Sequence, residues 1–366
     1  MVSPFHSEHP RARENNIDFL RVALATLVIL SHAYQLVLGG GETKDPLFRV
    51  TGGQTSFGHV AVNCFFTLSG FLIAQSWFRA PRLCAFFKKR VLRIFPGYIA
   101  AMLFCGLVVV PIASGSLNLS LLPRQVGKTV VQSIILHPFS PIIPVFGSNP
   151  MPARVNASMW TIRIEFWCYA LLALLGLTKI LRTRFFWVVL GAAFVAYQAV
   201  TFHHFKEWPN ALGYLWGPLA EWPRFLTYFW AGTLFFQLRS RIPFSTVLAA
   251  VCASVSVSAV LVPHALSMVM PWTGTYLLFF LAFHPRLRFE HFGKHGDFSY
   301  GMYLYAYPVQ QLLVQSIGSA IGTTAHFFLT TLLTFPLAFL SWHLVEKYFL
   351  RFKRSGPAAS LIPPKI

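Results

Sequence analysis

The sequence predicts an all-α, polytopic membrane protein with about ten transmembrane helices and both termini in the cytoplasm. Three observations predict it. Of 366 residues, 55% are hydrophobic and only 11% are charged, whereas about a quarter of residues are charged in soluble domains. Apolar stretches long enough to cross a hydrocarbon core of about 30 Å recur along the whole chain. The basic residues collect in alternate connections between those stretches.

The first stretch, 17 to 38, follows a polar segment. It is longer than a signal-peptide core and has no clear small-residue cleavage site, so it reads as a retained first span. Spans over 57 to 78 and 96 to 113 come next. Between them, Arg79, Arg82, Lys88, Lys89, Arg90 and Arg93 mix with Leu83, Phe86, Phe87, Val91 and Leu92, as in an interfacial helix. The connection from 114 to 158 is long and rich in Pro and Ser, which suits either a functional loop or an irregular cap over helix ends. It also holds the sequon Asn156-Ala157-Ser158. Spans over 159 to 178, 185 to 202, 222 to 238, 244 to 262, 264 to 283, 297 to 317 and 322 to 345 complete the set. Residues 17–346 then form one membrane domain between cytoplasmic segments 1–16 and 347–366.

Thirty Lys and Arg against eleven Asp and Glu give a formal charge of +19, which in a soluble chain would suggest nucleic acid. With the N-terminus inside, twenty-one of the thirty fall on the cytoplasmic side. The charge is therefore an orientation signal, the partner is membrane lipid, and no nucleic-acid partner is expected. Five scattered cysteines without a CxxC pair argue against a disulfide framework and a structural zinc site. No metal is expected.

Ionisable groups inside spans are costly and therefore candidates for function. The first span carries Arg21 and His32, and the fourth carries Arg163 and Glu165. Among the eleven acids, Glu165 alone lies well inside an apolar run. Arg21 and His32 are eleven residues apart, which places them on one helix face about 16 Å from each other. Arg21 suits either a snorkelling anchor or a functional cation, and His32 either a buried structural histidine or a reactive one. Counting depth from the span ends puts His32 and Ser69 near the midplane and Glu165 in the outer half, within reach of one outward-opening cavity. Arg90 and Arg93, spaced i and i+3, can clamp phosphate oxygens or bind anionic lipid heads.

These residues resemble the acyltransferase 3 family of integral membrane O-acyltransferases, best known from modification of bacterial surface polysaccharides. Ile17-Asp18-Phe19-Leu20-Arg21 with His32 is similar to its opening motif, and Cys64-Phe65-Phe66-Thr67-Leu68-Ser69-Gly70-Phe71 to its second-span signature. Arg90-Val91-Leu92-Arg93-Ile94-Phe95-Pro96-Gly97-Tyr98 resembles its basic element, and Trp160-Thr161-Ile162-Arg163-Ile164-Glu165-Phe166 its Trp-to-Glu motif. Ser299-Tyr300-Gly301-Met302-Tyr303-Leu304 resembles its penultimate-span motif. The chain departs from the pattern at Ala306, where the family often has His, and at Tyr348, where Pro is common.

The resemblance implies an O-acetyltransferase of the bacterial inner membrane. It would move an acyl group, commonly acetyl from acetyl-CoA, to a hydroxyl of an extracytoplasmic glycan such as a lipopolysaccharide O-antigen. Arg21, Arg90 and Arg93 are the candidate coenzyme A site. His32 is the catalytic base or a transient acyl carrier, and Glu165 orients it or binds the acceptor. Ser69, Trp160 and Tyr169 are the candidate acceptor contacts, although Ser69 and Gly70 also suit close helix packing and Trp160 an interfacial anchor. The alternative class is a transporter, or an acyl translocator serving a separate transferase.

Overall fold

A computed structural model describes residues 15–116, 118–203, 211–289 and 291–352, with no strand among them. The charges expected inside at Arg11, Arg13, Lys353, Arg354 and Lys365, and Lys206 expected outside, lie beyond the described residues, as do both chain ends. Eleven main helices form the bundle: α1 (Ile17–Leu38), α2 (Phe57–Arg79), α3 (Leu83–Ser114), α4 (Leu122–Ile134), α5 (Trp160–Leu177), α6 (Phe185–His203), α7 (Trp222–Leu238), α8 (Thr246–Leu261), α9 (Ala265–Ala282), α10 (Ser299–Ile317) and α11 (Thr323–Arg351). Seven of them, α1, α2, α3, α5, α6, α9 and α11, are long and apolar enough to cross a membrane. The fold is all-helical and consistent with a polytopic membrane protein. Its rim is apolar where lipid would lie, with Val188 and Val195 on α6 and Phe328 and Leu332 on α11 exposed.

Successive long helices run in opposite directions, so the bundle has two faces. Arg79 and the start of α3 lie on one, called here the basic face. Asn16 closes α1 against α9 there: its backbone N–H donates to Ala282 O at 2.8 Å, and its side-chain oxygen accepts from Phe289 N at 2.9 Å. On the opposite face Asp45 ties α1 to α2. It accepts from Ser31 Oγ at 2.6 Å, from Leu47 N at 2.9 Å and from Phe57 N at 3.1 Å. With Phe48 N at 3.4 Å as a fourth donor, this fully buried carboxylate makes a fixed corner.

The basic segment 79–93 differs from its expected form. Rather than a separate interfacial helix, its second half is the opening of α3, which runs for 32 residues through Pro96 and a π-turn at Cys105–Val109. At 1.5 Å per residue that is about 48 Å, longer than a bilayer core is thick, so α3 tilts or projects beyond it. Pro96 is accommodated because the loss of one N–H bond interrupts a helix without ending it when neighbouring helices hold both halves.

The long connection also departs from the irregular segment that its Pro and Ser suggest. It contains α4, which turns Gln125, Thr129, Gln132 and Ser133 inward and exposes Val130, Val131 and Ile134. Beyond α4 the chain is pinned to α10. Asn149 Nδ2 donates to Gln311 Oε1 at 2.7 Å, Gln311 Nε2 to Arg154 O at 2.8 Å, and Asn156 Nδ2 to Leu304 O at 2.8 Å. Asn156 is thus a buried structural residue, and its sequon has no exposed acceptor nitrogen.

The closest backbone approach joins α2 and α7. A Cβ on Gly70 would run into the Phe229 backbone, and one on Gly232 into the Thr67 backbone, while Thr233 Oγ1 donates to Gly70 O at 3.2 Å. The expected packing role of Gly70 is therefore observed.

Candidate active site

On the face opposite the basic one, the loop after α4 and the ends of α1, α2, α5 and α7 enclose a cavity of about 730 Å³. His32 lies in its wall, with its ring edge-on to Tyr307 at 5.1 Å. Its Nδ1 is buried without a hydrogen-bond partner. The floor holds Trp160 and a hydroxyl pair, Thr161 Oγ1 and Tyr303 OH, 2.6 Å apart. Arg154, Arg163 and Arg224 bring positive charge to the wall, Glu42 and Glu221 negative.

The acid that faces His32 in the cavity is Glu42, in the turn after α1. His59 Nε2 sits 2.9 Å from its Oε1. Burial pushes the Glu42 carboxyl up, but the hydrogen bond and charge of His59, together with the charges of Arg224 and His32, bring it below its usual value. His137, on the loop, is lowered by desolvation, which the bond to Pro138 O offsets in part.

Glu165 occupies a different place. Its Oε1 accepts from Ser69 Oγ at 2.7 Å and from Tyr169 OH at 2.5 Å, and Ser69 also donates to Tyr169 OH at 3.1 Å. No hydrogen bond joins Glu165 to His32, and Ser69, Glu165 and Tyr169 are not in the cavity wall. Of the expected acceptor contacts, only Trp160 lines the cavity. Depth along α5 explains the split: Trp160, Thr161 and Arg163 lie in its first turn at the cavity, while Glu165, four residues beyond Thr161 on the same face, and Tyr169, one turn further, bond to Ser69 of α2.

The three candidate cofactor arginines divide as well. Arg21 and Arg93 are both ion-paired with Asp297, and Arg93 also reaches Glu346 at 3.5 Å. Arg90 has no acidic partner among the described residues. It donates to Ser76 Oγ at 3.0 Å and lies 5.4 Å from the Phe86 ring centroid and 5.9 Å from that of Tyr169. The shared face of Arg21 and His32 is observed, because Arg21 meets Asp297 just ahead of α10 and His32 meets Tyr307 within it. Polar groups therefore recur through the apolar bundle, from the cavity through Glu165 to the basic face.

Sequence reading missed Glu42, His59, Arg224, Asp297 and Glu346. Asp297 and Glu346 sit beside recognisable motifs, at Ser299-Tyr300 and at Glu346-Lys347-Tyr348, which was the available signal. Glu42 and His59 lie in or beside a turn, where composition gives none. Ala306 is 3% exposed and packs with Ala25, Ile29 and Met302, so at this position the chain has core in place of a polar contact. All five cysteines are free, and no cluster of metal-ligating side chains occurs among the described residues.

Residues 14–343 match the family described as an acyltransferase domain. The chain is 28% identical to an O-acetyl transferase of Shigella phage Sf6, over 95% of this chain and 99% of that protein. It is also 28% identical to nodulation protein 10 of Rhizobium leguminosarum bv. viciae, over 97% of this chain and 98% of that protein. No solved structure gives a significant match. With the family matched across nearly its whole length, the chain belongs to the acyltransferase 3 family and is an acyltransferase.

Proposed function

We propose that this acyltransferase moves an acetyl group from acetyl-CoA, taken up at a cytoplasmic basic face, to a hydroxyl of a glycan held in the cavity on the opposite side of a bacterial inner membrane. The observation that carries the reading is His32, which lines a cavity of about 730 Å³ with an unpartnered ring nitrogen. Trp160, Tyr303 and Tyr307 give that cavity aromatic faces beside polar groups, the chemistry that sugars need. The name of the phage relative supports oxygen as the acceptor atom and acetyl as the group.

In this reading His32 takes the proton from the acceptor hydroxyl as its oxygen attacks the thioester carbonyl. The C–O bond forms, the C–S bond breaks, and coenzyme A leaves with the proton returned by the imidazolium. Arg90, which makes no ion pair among the described residues, takes a phosphate of the donor. Arg21 and Arg93, held by Asp297, shape the entrance. Glu165 sits between the two ends and holds α2 to α5.

The test uses purified protein in lipid vesicles, labelled acetyl-CoA and glycan acceptors. His32→Ala is expected to keep its melting temperature and lose about 10²- to 10⁴-fold in transfer, the usual share of a general base. A folded His32→Ala protein with full transfer would overturn the reading.

A further inference from the structure

A second cavity, about 400 Å³, adjoins the first. The two share three wall residues, His59, Glu221 and Arg224. Both volumes fall near or within the range of small-molecule sites, about 300–1,000 Å³. Tyr197 and Tyr228 line the second cavity together with Asn63, Thr201 and Ser267, again pairing phenol rings with hydroxyl and amide groups.

Arg224 in the partition is unusual in its bonding. It is 8% exposed, its Nη2 lies 2.5 Å from Glu221 Oε2, and its guanidinium stacks 4.5 Å from the Phe225 ring centroid. Its Nε and Nη1 are buried with no acceptor. Unpaired donors on a buried guanidinium are costly and suit a ligand that brings oxygen atoms.

We propose that the second cavity receives the sugar next to the one acylated, with Arg224 donating to oxygens at the junction. The acceptor class is then a glycan of at least two rings. This rests on the glycan-acceptor reading above.

The experiment measures kcat/KM of the full-length enzyme with acetyl-CoA and the one-, two- and three-ring fragments of one glycan. Wild type is expected to gain about tenfold or more from one ring to two, the worth of hydrogen bonds to a charged donor, and little from two to three. Val200 lines only the second cavity, and Val200→Trp should bring the two-ring value down toward the one-ring value. Arg224→Lys, which keeps the charge beside Glu221 and loses the planar donors, should reduce the same preference if Val200→Trp does not fold. A wild-type series flat with length, or a preference that neither variant changes, overturns the subsite while leaving glycan acylation standing. Acylation of none of the three fragments overturns the glycan reading and this inference with it.

Discussion

The Ser69 hydroxyl donates to Glu165 Oε1 at 2.7 Å and so joins α2 to α5 across 96 residues of sequence. Tyr169 donates to the same oxygen, so two hydroxyls satisfy one half-buried acid. Ser69→Ala and Tyr169→Phe should each cost about 1–3 kcal/mol, and the double variant should cost more than their sum because each single variant leaves Glu165 Oε1 one donor and the double leaves it none. Thermal unfolding of the four proteins in one detergent measures this. Acceptor KM should not change in either single variant, since neither residue reaches the cavity; a raised KM would return Ser69 to the acceptor site.

Asp297 neutralises two guanidiniums on two helices, with Glu346 beside one of them. Removing one partner of a largely buried ion pair leaves the other charge stranded, at a typical cost of about 3–5 kcal/mol. Asp297→Asn should therefore lower the melting temperature sharply. Asp297→Asn combined with Glu346→Gln should be more damaging than the sum, because each single variant leaves Arg93 one acid and the double leaves it none.

At the crossing of α2 and α7 a methyl group has no room. Gly70→Ala must push the Phe229 backbone away, and overpacking of this kind costs about 1–3 kcal/mol. Gly127→Ala, where nothing lies within 4 Å of the added carbon, is the matched control and should leave the melting temperature almost unchanged.

Glu42 gives a pH dependence of definite sign. Its carboxyl is held below the ordinary value by His59, Arg224 and His32 together, so its ionisation contributes stability that is fully present above about pH 4.3, the unperturbed Glu pKa. That contribution is lost as pH falls through the depressed folded value. Wild type should melt above Glu42→Gln at neutral pH, and the two curves should converge in acid. Parallel curves down to pH 3 would refute the assignment.

Helix positions were legible because lipid demands long apolar runs: each of the ten expected spans overlaps a helix, although only seven of those helices are long and apolar enough to cross a membrane. The break expected between Arg93 and Pro96 was misleading, because charge and proline look like a boundary locally while the contacts that carry α3 past them come from the start of α10 and from α11. His32 was legible as a cavity residue from type and depth, but the same depth count also put Ser69 and Glu165 in the cavity, where the structure does not have them. Tyr169 was not, since a tyrosine that stacks on a sugar and one that bonds a half-buried acid look the same until its partners across α2 and α5 are known. The partners of the arginines were hidden for a simpler reason: Asp297 and Glu346 are near helix ends, where an acid raises no suspicion.

The pairing of Arg21 with Asp297 spans 276 residues. At ribosomal speeds of about 5–20 residues per second, the carboxylate is made roughly 14–55 s after the guanidinium that it serves. The first helix must therefore enter the bilayer with its cation near the headgroups, where water and lipid phosphate can hold it. Completion of the bundle then replaces those partners with Asp297, so the end of synthesis, rather than the insertion of any one helix, closes the basic face.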